Sequence, residues 1–315
     1  MALTWTVSDG RAGNARQAEA LAQALHSTPV TALHLQARAP WRWAAPRLLP
    51  GAQAAFGAEF ARHLQQPPTL AIGCGRQAAL ATRLLRARGS QAVQILDPRL
   101  DSRHWNLLIV PEHDALRGAN VITLLGSLNP VDDAWLAAGR AAFAPLGALP
   151  GPRVALLIGG PTAQVPWTTQ ALAALCMQLR AQVLAAGGSL LVTTSRRTPP
   201  EAIATLRNAR AGLPGLLWCD DRDGPNPYAG LLGWADAIVA SADSVNLLSE
   251  ACATRVPVVA AFAEHAQGRV ATYLRALQAH GRLGDAGDVF AAPSQLQPLR
   301  ETQRIAALVR ERLHV

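Results

Sequence analysis

The side chains best suited to chemistry in this chain fall in short loops that follow apolar runs. Thr193 to Thr198 reads TTSRRT and sets hydroxyls and two guanidiniums where an apolar run hands over to a helical segment. Ser195, Arg196 and Arg197 suit a diphosphate there, because guanidinium forks and free helix N–H groups both bind phosphate oxygens. Asn226-Pro227-Tyr228 comes next, and then the stretch from Ser241 to Ala251. If a helix starts near Asp243, then Asp243, Asn246 and Glu250 share one polar stripe at i, i+3 and i+7, beside an apolar stripe of Val245, Leu248 and Cys252. A carboxylate on that stripe can accept both hydroxyls of a ribose. Asp and Asn are poor residues for a merely solvated helix face, which favours the binding role.

Three further loops carry polar groups. Ser8 to Asn14 reads SDGRAGN. Gly10 and Gly13 let backbone N–H groups approach an anion, Arg11 adds charge, and Asn14 stands where a helix cap would, with Gln17 as its reciprocal partner. The alternative is a tight turn in which Asp9 only caps the backbone. Pro111 to Asp114 follows an apolar run and offers Glu112, His113 and Asp114; with Asp9, His113 and Asp114 are the candidates for a general base. Gly73 to Ala78 has the G-x-G-x-x-A spacing of a dinucleotide loop, and Asp97 ends the next apolar run. Against that reading, the unit is not the first in the chain and Pro98 follows the acid; close packing of helix on strand explains the glycines as well. Asp220, Asp221 and Asp223 resemble a D-x-D metal clamp, but a solvated acidic turn is the simpler expectation, so no metal is expected.

Composition narrows these options. All 29 basic residues are arginine, giving a formal charge of +8. The absence of lysine removes a Walker-type phosphate lysine, a Schiff-base lysine and a lysine base. No basic run interleaved with aromatics appears, so no nucleic-acid partner is expected. Cys74, Cys176, Cys219 and Cys252 are too scattered for a metal cluster and read as reduced thiols. No basic n-region with an apolar stretch precedes Asp9, and glycines and prolines break the longest uncharged stretch, Val154 to Leu179; a cytoplasmic location is expected. Trp41, Trp43, Arg38, Arg42 and Arg47 form a small basic aromatic patch. It reads either as a folded loop with packed tryptophans or as a peripheral contact at the inner face of a membrane.

The elements that must position these loops alternate in βα fashion. Strands are expected at Leu3–Ser8, Thr69–Gly73, Ala92–Leu96, Asn106–Val110 and Val121–Leu125, with a helix over Gln77–Arg88. Gly139 to Pro152 breaks the pattern and reads as a domain junction. Further strands are expected at Val154–Ile158, Ser189–Thr193, Leu216–Trp218, Ala237–Val239 and Pro257–Ala260. One intervening helix starts at a T-x-x-E capping box, Thr198 to Glu201, and the last, Leu299–Leu313, has an apolar face of Ile305, Leu308, Val309 and Leu313. For 315 residues, half of them apolar, this implies an α/β protein of two doubly wound, Rossmann-like domains, 1–150 and 151–315, facing a cleft, with the last helix free to dock back.

The stretch from Asp236 to Pro257 resembles the nucleotide-sugar segment of GT-B glycosyltransferases, especially the MurG-like group. In that group a Ser/Thr loop leads to a helix whose Glu holds the ribose, and a turn with proline enters the next strand. The counterparts are Ser244, Glu250 and Pro257. More specifically, SDGRAGNARQAEAL, IGCGRQAA, QILDPR, IVPEHD, GGP, TSRRTP, NPY and ADSVNLLSEA occur in the order of the mitochondrial fission family first known from the plant elongated-mitochondria protein. The resemblance implies a GT-B-like fold with a nucleoside diphosphate sugar as substrate and no cofactor. It implies metal-independent sugar transfer to an unknown acceptor, or epimerisation of the nucleoside diphosphate sugar. A non-catalytic adaptor role and, from the glycine spacing, NAD-dependent oxidoreduction stay open beside these.

Overall fold

The structure, a computed structural model, describes residues 3–25, 30–285, 287–291 and 296–314. It divides into two compact units, one of residues 1–130 with 301–315 and one of residues 131–300.

The first unit begins with β1 (Thr4–Ser8), α1 (Ala12–Ala24), β2 (Val30–His34), α2 (Trp41–Ala44), α3 (Ala58–His63), β3 (Leu70–Cys74), α4 (Arg76–Arg86), β4 (Gln91–Ile95), β5 (Leu107–Pro111) and β6 (Val121–Leu124). The six strands form a parallel sheet in the order β2-β1-β3-β4-β5-β6. Strands covered on both faces read as short, nearly continuous apolar runs, which is why β1, β3, β4, β5 and β6 are visible in the sequence. Ile72, Val93, Ile95 and Ile109 pack with Ala18, Leu21 and Ala22 of α1. Trp5, Val7 and Ala71 pack with Phe60, Ala78 and Leu85.

The second unit holds α5 (Asp133–Ala142), β7 (Arg153–Ile158), α6 (Thr169–Ala185), β8 (Ser189–Thr194), α7 (Pro200–Arg210), β9 (Gly215–Trp218), α8 (Tyr228–Trp234), β10 (Ala237–Ser241), α9 (Val245–Cys252), β11 (Val258–Ala261) and α10 (Gly268–Ala279). Its parallel sheet runs β11-β10-β7-β8-β9. The chain then returns to the first unit as α11 (Glu301–Leu313). Ile305, Ala306 and Val309 of α11 are fully buried there, and each large side chain so covered stabilises the unit by about 1.5–3 kcal/mol.

The units divide at Pro130, well before the glycine- and proline-rich stretch that reads as a junction, and the C-terminal helix is grouped with the first unit. Within the second unit, small residues of that stretch permit close packing. A Cβ on Gly139 would lie 2.4 Å from the Ala229 carbonyl oxygen, and one on Gly147 would lie 2.6 Å from the Trp234 ring. These glycines seat α5 and its extension against α8 and do not mark a linker.

Two expected caps are corrected. Asn14 lies inside α1, whose N-cap is Arg11 without a side-chain bond. Asn14 instead faces backward and donates to Asp9 at 3.0 Å. Pro199, likewise without a side-chain bond, precedes α7. The Thr198 hydroxyl is used elsewhere, 2.5 Å from the Gly159 carbonyl oxygen. No described helix is long and apolar enough to cross a membrane.

Candidate functional site

In the second unit, the loops after β7, β8 and β10 converge at the carboxyl edge of the sheet, where ligands of open α/β sheets bind. Asp243 is their hub. Its side chain is 0% exposed and takes hydrogen bonds from the Gly160 N–H at 3.0 Å, the Trp167 indole at 3.1 Å and Arg197 at 3.1 Å. Burial pushes the Asp243 carboxyl up, and bonds from Ser241, Gly160, Trp167 and then the Arg197 charge pull it back in part. A Cβ on Gly159 would lie 2.1 Å from Asp243 Oδ2, so glycine is what admits the carboxylate. Trp167 also stacks on Phe262, centroids 5.0 Å apart.

Asp243 therefore lies before α9 and not on the polar stripe expected for it. The helix starts at Val245, two residues after Asp243: Ser244 is its N-cap, accepting from the Leu247 N–H at 3.4 Å. Asn246 is half-buried on the first turn, and so is Val245, which the spacing places on the buried face. Glu250 is 2% exposed and accepts from the Tyr228 hydroxyl at 2.5 Å. Asn226 turns the chain into α8 by accepting from the Tyr228 N–H at 3.0 Å.

The loop after β8 is closed on itself. The Ser195 N–H donates to the Ile158 carbonyl at 2.9 Å and to the Thr198 hydroxyl at 3.0 Å, and the Arg197 N–H donates to Ser195 Oγ at 3.1 Å. Arg196 is exposed, and the Arg197 side chain is 53% exposed although one nitrogen is held by Asp243. Both guanidiniums keep donors free for an anion. Asp220 and Asp223 instead form a reciprocal cap around the turn Asp221–Asp223, with Asp220 also paired to Arg222. No group of three metal-ligating side chains is gathered among the described residues.

In the first unit, Asp9 follows β1. It accepts from Asn14 at 3.0 Å and from the Arg11 N–H at 3.2 Å, and pairs loosely with Arg11 at 3.5 Å. Gly10 has φ +80 and donates to Ser8 Oγ, which also meets His34 Nδ1 at 3.0 Å; Gly13 lies in the first turn of α1. His113 is half-buried and Asp114 is 8% exposed, in a loop after β5 whose carbonyls at Glu112 and Asp114 are capped by Arg117. The G-x-G-x-x-A loop packs tightly: a Cβ on Gly73 would lie 2.5 Å from Gln94 Oε1, and one on Gly75 2.6 Å from Asn14 Nδ2. Asp97 is engaged by Arg99.

The Gly159–Gly160 turn, Trp167 and His34 escape a reading by motif. Only the glycine pair carried a signal, as part of the GGP motif, and without the carboxylate that needs it the motif had no role.

Two α/β units with parallel sheets and a polar cluster at the second sheet's carboxyl edge define a GT-B-like fold. Residues 12–313 match the family described as Mitochondrial fission ELM1, and the chain belongs to that family. A curated relative, mitochondrial fission protein ELM1 of Arabidopsis thaliana, is 29% identical over 279 residues, 78% of this chain. The chain spans 64% of that relative's length. Among solved structures, the UDP-GlcNAc 2-epimerase of Methanocaldococcus jannaschii has a TM-score of 0.56 at 11% identity, covering 99% of this chain and 100% of that one. The UDP-GlcNAc-bound UDP-GlcNAc 2-epimerase of Neisseria meningitidis has a TM-score of 0.52 at 12% identity, again with 99% and 100% covered. At such identities the likeness is one of fold.

Proposed function

We propose that the chain binds a nucleoside diphosphate sugar at the carboxyl edge of its second sheet and transfers the sugar to an acceptor hydroxyl. The observation that carries this is the grouping of a half-exposed Arg197, an exposed Arg196 and the Ser244-capped start of α9 on the loops of one sheet, with a buried Glu250 on α9 itself. Arg196, Arg197 and the free N–H groups of α9 offset the charge that grows on the departing diphosphate. Ser195, Asn226 and Tyr228 shape the rim, and Glu250 accepts the ribose hydroxyls. Asp9 or His113, with Asp114 beside it, supplies the base for the acceptor.

Epimerisation is the second reading. It needs acids and bases at the sugar, and Asp9, Asp97 and Asp114 follow β1, β4 and β5 at the carboxyl edge of the first sheet. The full-length likeness in fold to UDP-GlcNAc 2-epimerases supports it. Thermal-shift titration with UDP, GDP, CDP, ADP and dTDP, their sugars and NADH tests the binding. Product analysis of the bound sugar nucleotide without acceptor then separates the reactions, since only an epimerase alters the sugar. No shift with any nucleotide leaves the adaptor role in place of both, and a shift with NADH alone restores the oxidoreductase.

A further inference from the structure

The loop from Arg38 to Pro50 in the first unit presents a patch that none of the above uses. Trp43 is 67% exposed and Leu48 46%, the largest exposures of large apolar side chains among the described residues of this unit. Arg38, Arg42 and Arg47 stand around them, all exposed. The Arg42 guanidinium lies 6.0 Å from the centre of the Trp43 ring. No Asp or Glu occurs in the sequence between Glu19 and Glu59, so the segment itself holds no acid to offset this charge.

This loop is held rigidly. Arg76 of α4 donates to the Arg42 and Trp43 carbonyls at 3.0 and 3.4 Å, and Arg83 donates to the Pro46 carbonyl at 2.6 Å. The Trp41 indole donates to the Pro50 carbonyl at 3.1 Å, and its ring packs beside Ala45, Ala55 and Leu80. One tryptophan thus anchors the loop while its neighbour two residues on is displayed. The backbone carbonyls nearest the displayed ring are already satisfied, so moving it out of water strands few polar groups.

We propose that this face docks on an anionic lipid surface, with Trp43 and Leu48 entering the headgroup region and Arg38, Arg42 and Arg47 pairing with lipid phosphates. The charge decides the occupant: three arginines in a segment without acids complement a negative bilayer, and the indole ring favours the membrane interface. Each arginine near such a surface contributes about fivefold in partitioning.

Sedimentation of the full chain with vesicles of phosphatidylcholine, alone and mixed with phosphatidylglycerol, tests this. The chain should pellet with the anionic vesicles, weakly or not at all with the neutral ones, and less as salt rises. Trp43→Ser should reduce partitioning about tenfold, and the pair Arg42→Gln with Arg47→Gln about 25-fold, with unfolding midpoints unchanged because these side chains are exposed. No association with anionic vesicles, or either variant pelleting as the parent does, overturns the proposal. A dimer in sedimentation equilibrium that Trp43→Ser dissolves would assign the face to a second copy of the chain and overturn it equally.

Discussion

The Tyr228 hydroxyl donates to Glu250 Oε2 at 2.5 Å, joining the first residue of α8 to the buried face of α9. A buried carboxylate with a fixed partner keeps one orientation, as the proposed contact to two ribose hydroxyls requires.

Nucleotide affinity should follow this pair. Glu250→Gln should weaken binding of the cognate nucleoside diphosphate by about tenfold to a hundredfold, and Tyr228→Phe by less, since a charge-assisted bond is worth about 1.5–3 kcal/mol. Calorimetric titration with the ribonucleotide and its 2′-deoxy analogue checks this: the parent should prefer the ribonucleotide, and Glu250→Gln should bind the two alike.

Stability should vary with pH through Asp243. Burial raises its folded pKa, so the folded state holds the proton more tightly than the unfolded chain. That contribution is present in acid and is lost as pH rises through the folded value. The unfolding midpoint of the parent minus that of Asp243→Asn should therefore shrink between acid and neutral pH. A series of melts across that range reads it directly.

Gly159→Ala should be costly. The added methyl would meet Asp243 at 2.1 Å, and such overpacking costs about 1–3 kcal/mol. Denaturant melts should show that loss, and nucleotide binding should fall with it because Arg197 loses its partner.

Turnover should respond to the base. Asp9→Asn or His113→Ala should lower it by about 10² to 10⁴ with nucleotide binding retained. Steady-state assays on the sugar nucleotide identified by titration distinguish the two; full activity in both variants would remove the assignment.

Ile305→Ala, at a fully buried position of α11, should cost about 2–5 kcal/mol. Hydrogen exchange should report that loss in the first unit, at β6 and α1, against which α11 packs.

Most strands were legible because burial on both faces writes them as apolar runs bounded by glycine, proline and polar loops. β2 was not: every residue but Leu33 is exposed, so it lacks that signature. The short helices α2 and α3 carry too few turns for a period to show. In the candidate site, Ser244, Glu250 and Tyr228 fall in motifs that stand out along one segment of sequence. The role of Asp243 was not, because its partners Gly160, Trp167 and Arg197 come from other loops and spacing along one segment cannot report them. The same holds for Thr198, whose pattern fits a cap but whose hydroxyl serves the end of β7.

The return of α11 to the first unit sets an order of assembly. Emerging from the ribosome, the first six strands lack the helix that packs beside α1 and β6 until the whole second unit has been made. The second unit, continuous in sequence, can mature during synthesis, while the first waits with part of its sheet uncovered. Nascent chains stalled before Glu301 should therefore be the form most in need of chaperones.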